Sequence, residues 1–168
     1  MFRCVLAHLL ARTGQRADAA RELRELAAAG CAALPVDQEW LFAMSCLAEA
    51  AAVLEDAEAA GGLYELLAPW ADLNVVDQCE GIRGAVARYL GLLAAATGRS
   101  AAAQHHFEAA LEMNERMGAR PWLARTQEDY ARLVQTDDRA RAGALSAAAA
   151  ATYSELGMEP AGPLPAVP

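Results

Sequence analysis

The tightest constraint on this chain lies between residues 87 and 118, where two apolar stripes of helical period meet at a short turn. Leu90, Leu93 and Ala94 carry the first stripe up to Thr97, Gly98 and Arg99, and Ala103, Phe107, Ala110 and Leu111 carry the second at i, i+4, i+7 and i+8. Either helix alone would leave its stripe in water. The two must therefore pack against each other and against neighbours, and the rest of the chain has to supply those neighbours.

Composition favours more of the same. Alanine, the best helix former, occupies 43 of 168 positions and only 7 are proline, so the chain is biased towards helix throughout. The length suits one domain with a sizeable core. No run approaches the roughly 18 to 20 apolar residues needed to span a bilayer, so the alanines read as surface for close helix packing. All 14 basic side chains are arginine, and the formal net charge is −8. That balance argues against direct, sequence-independent nucleic-acid binding, which needs a basic stripe to displace counterions. Residues 26–82 hold ten acidic side chains and no basic one. Glu55, Asp56 and Glu58 cluster there as an acidic patch, readable as a solvated face or as a dock for a basic partner.

Cys4, Cys31, Cys46 and Cys79 form no CxxC pair and have no histidine at ligand spacing, so no metal site is expected from them. The arginine and apolar run near the start are followed by no small-residue cleavage pattern, and a reducing cytoplasm is the compartment expected.

Taken in order, Phe2, Val5, Leu6, Leu9 and Leu10 predict a first helix with those residues inward, ending at Thr13 and Gly14. Ala19, Leu23 and Leu26 give the next helix its face, with Gly30 as its stop and residues 31–36 as a loop. Asp37 suits the N-cap of a long helix that buries Trp40, Leu41, Met44, Leu47 and Ala48. Glu55 and Asp56 make a turn, and Ala59, Leu63, Leu66 and Leu67 form a helix that Pro69 ends. Residues 70–78 read as an ordered connector or a short extended piece rather than a strand of any sheet. Asp77 and Glu80 have capping-box spacing, which predicts that the following helix starts there and runs to Ala96. Pro121 suits the first position of a further helix with Trp122, Leu123, Tyr130, Leu133 and Val134 inward. A last alanine-rich helix follows the turn at 136–138 and stops at Gly157. The proline-rich residues 158–168 read as a flexible tail.

Aligned on the alanine after each turn, the second helices start from Ala19, Ala59, Ala103 and Ala142, spaced 40, 44 and 39 residues apart. Recurrence of this kind predicts an all-α domain over residues 1–157, built of about four antiparallel pairs (2–29, 37–69, 78–117 and 121–156) stacked as a solenoid. The motif Leu90, Gly91, Gly98, Ala103, Phe107 and Ala110 resembles a tetratricopeptide repeat, and that resemblance implies a right-handed superhelix. The segments LYELLAPWADLNVV and HFEAALEMNERMGARPWLARTQEDYARLV resemble the C-terminal repeat region of actinobacterial ATP-binding LuxR-family transcription regulators and related cyclase-linked ATPases. The resemblance carries no active site. With no GxxxxGK[ST] loop and no DNA-reading motif, it implies a fragment or a stand-alone relative of such regulators.

No nucleophile stands in a GxSxG or supported Cys/His context, so no catalytic residues and no cofactor are expected. His105, Glu108 and Glu112 share a helix face but lack a second such motif for a metal. In repeat pairs of this family the first helices line the concave face. Projecting that register predicts a partner-binding groove of His8, Arg12, Met44, Arg88, Leu92, Gln127 and Ala131. The expected function is non-catalytic binding of a protein or peptide within a bacterial transcriptional or signalling regulator, with self-association left open. Sensing of a small molecule in the groove is the alternative.

Overall fold

The computed structural model describes residues 1–28, 36–77 and 81–160. Among these the fold is mostly helical: α1 (Phe2–Arg12), α2 (Arg16–Ala28), α3 (Trp40–Leu54), α4 (Ala57–Leu67), α5 (Val86–Ala96), α6 (Ser100–Arg116), α7 (Arg120–Val134) and α8 (Arg139–Leu156). Between α4 and α5 a small antiparallel pair intervenes, β1 (Asn74–Asp77) and β2 (Gly81–Ala85). None of these helices is long and apolar enough to cross a membrane.

The odd-numbered helices follow one another, α1 on α3, α3 on α5 and α5 on α7, and each is backed by the helix that comes next in the chain. Their shared core runs through Leu23, Met44, Leu47, Leu67, Leu90 and Leu93. A second cluster beyond it holds Phe107 stacked on Tyr130, ring centres 5.5 Å apart. The turns obey local chemistry. Gly98 takes φ 72 between α5 and α6, a left-handed conformation open to glycine at no steric cost. Glu55 adopts φ 58 at the end of α3 without being glycine, a backbone conformation that costs about 1–2 kcal/mol. The Arg16 guanidinium donates to the carbonyls of Val53 and Leu54 at 2.9 and 3.3 Å, satisfying the C-terminal carbonyls of α3 beside that strained residue. Asp56 then caps α4 by accepting from the Ala59 N–H at 3.0 Å.

Several sequence expectations need correction. In α1 the buried residues are Cys4, Ala7 and Ala11, while Phe2, Leu6 and Leu9 face solvent at 85, 44 and 52% exposure. Small residues let α1 approach α2 and α3 closely, so the contact face is marked by small side chains and the large ones are left outside. Residues 74–77 and 81–85 pair as strands, with Asn74 opposite Ala85 and Val76 opposite Ile82, where a connector and the start of a helix were expected. The cause lies in Gly81 and Gly84, at φ 100 and 82, which break any helix across them. As a result α5 begins at Val86, nine residues after Asp77, and Glu80 lies outside the described residues.

Two helix starts differ by small steps. Asp37 accepts from the Glu39 N–H at 2.9 Å in the turn before α3, and Glu39 takes the cap position. Pro121 is the second residue of α7. Gly30, the loop at residues 31–35 and the tail from residue 161 lie outside the described residues.

Candidate functional site

Glu49 is the only charged residue in the fifteen-residue α3, WLFAMSCLAEAAAVL, and it is buried to 9% exposure. An unpaired carboxylate there would be expensive, so its partners define the site. Glu49 Oε1 accepts from Arg88 Nη1 of α5 at 2.7 Å, and Oε2 lies 3.1 Å from Arg83 Nη2 of β2 and 3.3 Å from His8 Nδ1 of α1. Arg88 turns its Nε and Nη2 to Asp129 Oδ2 of α7 at 2.8 and 2.7 Å. Asp129 Oδ1 and Glu128 Oε1 each accept from Arg132 at 2.7 Å, and Tyr153 of α8 donates to Glu128 Oε2 at 3.1 Å. One ionic chain thus ties α3, β2, α5 and α7 together, with His8 of α1 lying against it.

The strand β2 serves as a strut at one end of this chain. Gly84 leaves only 2.9 Å between the position of a Cβ and the Trp122 Cβ, and Trp122 Nε1 donates to the Ile82 carbonyl at 2.6 Å. The Arg83 guanidinium lies over the rings of Phe42 in α3 and Trp122 in α7, at 5.2 and 5.8 Å. Tyr89 donates to the Arg83 carbonyl at 2.8 Å. The hairpin therefore bridges α3 and α7 beside the Glu49–Arg88 pair.

Electrostatics follow from burial and partners. Burial pushes the Glu49 carboxyl up, but Arg88, His8 and Arg83 more than offset it and hold the group at about 2. Arg88 is lowered by its own burial, yet Asp129 and Glu49 raise it well above the usual arginine range. His8 runs the other way. Its burial outweighs the attraction of Glu49 and lowers its pKa, in keeping with an Nδ1 that lies close to the carboxylate without hydrogen-bond geometry. The site therefore holds a neutral imidazole and a permanently ionised Glu49 near neutral pH. Burial also raises the Cys46 thiol to about 11, which makes it a poor nucleophile despite Arg83 Nη1 at 3.5 Å.

Beside this chain a cleft of about 500 Å³ opens between α3, α5 and α7. Its charged side carries Arg88, Arg125, Glu128, Asp129 and Arg132; its apolar side carries Val53, Leu92, Ala96, Phe107 and Leu133. Arg12 and Glu55 also line it. Of the seven groove residues expected from the repeat register, Arg12, Arg88 and Leu92 line this cleft. His8 touches its floor through Glu49. Met44 is fully buried in the core, because it lies five residues before Glu49 and so about 140° around the helix. Gln127 is half-buried on the opposite side of α7 from Asp129, with no hydrogen-bond partner for its Oε1 among the described residues. Ala131 is buried and lines a separate cleft between α7 and α8.

Of the acidic patch, Glu55 and Glu58 are exposed and Asp56 is occupied as a helix cap. His106 Nε2 lies 2.8 Å from the Tyr64 hydroxyl, while Glu108 accepts from Tyr130 and Arg141. Among the described residues no three His, Cys, Asp or Glu side chains are grouped to hold a metal ion. Glu49, Arg125, Asp129 and Arg132 were missed from sequence. Glu49 had a visible signal as the lone charge in an apolar helix; Asp129 and the two arginines looked like any polar helix face. Compared with protein-family models, curated proteins and solved structures, the chain matches none of them.

Proposed function

We propose that this chain is a non-catalytic helical-repeat scaffold of tetratricopeptide type that binds a peptide or a peptide segment of a protein in the cleft between α3, α5 and α7, as part of a bacterial transcriptional or signalling regulator. The observation that carries this reading is the cleft itself. Its half-open volume, apolar wall and rigid charged wall suit side chains of an extended or helical segment, with aligned first helices presenting them in a row. The stacking of odd-numbered helices, each backed by its successor, supports a superhelical arrangement. A scaffold also fits the chemistry, because a carboxylate held near 2 by three neighbours is a poor general base near neutral pH.

One observation favours sensing of a small molecule as the second reading. A volume of about 500 Å³ lies within the range of small-molecule pockets.

The test uses rhodamine-labelled decapeptide pools in which Leu, Phe and Ala alternate with Gln, Glu or Arg. Ala96 lines the cleft and is half-buried at the edge of the core, so Ala96→Trp fills space in the cleft, with urea denaturation used to check that the variant stays folded. Fluorescence anisotropy is expected to show binding of at least one pool to the wild type and a loss of about tenfold or more in Ala96→Trp, equivalent to about 1.4 kcal/mol. Binding that ignores this substitution, or a large thermal shift with a metabolite panel and none with peptides, would overturn the scaffold reading.

A further inference from the structure

We infer that the cleft selects peptides bearing a carboxylate side chain and that Arg125 is its anchor, an inference that rests on the cleft being a peptide site. The argument starts from pairing. Arg88 is held between Glu49 and Asp129, Arg132 between Asp129 and Glu128, and Arg83 on Glu49. Arg125 lines the same cleft one turn before Glu128 and Asp129, but both carboxylates are engaged elsewhere. Among the described residues no carboxylate lies within 4 Å of its guanidinium.

The count of charges agrees. Four arginines and four carboxylates line the cleft, and Arg83 adds a fifth guanidinium by reaching Glu49 from β2. The lining is therefore balanced in a chain of net charge −8, and because Glu49, Asp129 and Glu128 are shared among Arg88, Arg83 and Arg132, Arg125 is left in the cleft wall without a carboxylate partner among the described residues. The side chain is held in place, since its guanidinium carbon sits 5.4 Å from the Trp122 ring centre. A planar donor already oriented on an aromatic face loses little freedom on binding and matches a carboxylate with two parallel hydrogen bonds. Leu92 and Leu133, both half-buried, offer apolar surface to neighbouring side chains of the same peptide.

The same three pools test this against the Arg125→Gln and Arg125→Lys variants, with Arg24→Gln, an exposed arginine of α2, as a control of equal charge change. The Glu pool is expected to bind about tenfold tighter than the Gln pool, with the Arg pool weakest. That order opposes the one that an acidic protein would give by long-range attraction alone. Arg125→Gln should bring the Glu pool down to the affinity of the Gln pool, Arg125→Lys should retain part of the preference, and Arg24→Gln should change nothing. Equal binding of the three pools, tightest binding of the Arg pool, or an unchanged Glu-pool affinity in Arg125→Gln overturns the inference while leaving the peptide reading intact. Absence of binding by every pool removes both.

Discussion

Replacing Arg88 with methionine is expected to cost about 3–5 kcal/mol of folding stability at pH 7, the range for removing one partner of a buried ion pair. Arg88 is 4% exposed and serves Glu49 and Asp129 at once, two carboxylates whose side chains are 11 and 8% exposed; Glu49 retains Arg83 and Asp129 retains Arg132, which places the cost at the lower end of that range. The pH dependence identifies the cause. In the wild type, Glu49 titrates near 2 when folded and near 4.5 in its ordinary state, so the folded form is stabilised above pH 4.5 and loses that contribution as pH falls towards 2. The shift corresponds to about 3 kcal/mol. In Arg88→Met, Glu49 loses the largest of the attractions that oppose its burial, so its folded-state pKa moves back up from about 2 and the variant's folded form takes up a proton at higher pH than the wild type. The gap between variant and wild type should therefore shrink as pH is lowered from 7 to 4. Urea denaturation at several pH values measures this, and a deficit independent of pH would assign the loss to packing.

Phe107→Ala is expected to cost about 3–5 kcal/mol by opening a cavity against Tyr130, Gly91 and the cleft wall. The ring is 1% exposed and lies so close to α5 that a Cβ on Gly91 would fall 2.8 and 2.9 Å from its Cε1 and Cδ1. The ring has little room to yield, because Tyr130 stacks on it and Arg141 lies 4.6 Å above Tyr130. Gly91→Ala should gain about 1 kcal/mol of helix propensity and lose about 1–3 by overpacking, for a net destabilisation. The two substitutions share one contact. Combined, they should cost less than their sum, since alanine at 91 fills part of the space that Phe107 vacates. Strict additivity in denaturant midpoints would show that Gly91 and Phe107 do not depend on each other.

These two contacts mark how much could be read from the chain. Gly91, Phe107, Ala103 and Ala110 announced themselves because a turn glycine and a helical period bracket them; of the four residues of the second stripe Ala103, Phe107 and Ala110 are buried and Leu111 partly so. The last helix was legible for the same reason: Asp138 caps it and Gly157 ends it in a left-handed conformation. By contrast, α1 presents large apolar residues on one face and buries small ones on another, a choice made by the distance of closest approach to α2 and α3. The strands of 4 and 5 residues are too short for a period of two to be recognisable.

The cleft was legible on α5, where Arg88 and Leu92 belong to the best-formed repeat unit. On α3 and α7 the assumed register placed Met44 and Gln127 where Glu49 and Asp129 stand. Ionic partners from other helices fix those positions, and pairing at sequence separations such as 39 and 41 leaves no local trace.

The central claim is that binding takes place in the cleft between α3, α5 and α7. Hydrogen–deuterium exchange with the Glu pool at saturation tests it most directly, because it reports which segments a bound peptide protects. The account predicts slowed exchange in residues 49–55, 88–96 and 125–133, abolished in Ala96→Trp. Protection confined to residues 2–9, where Phe2, Leu6 and Leu9 lie exposed, would contradict it.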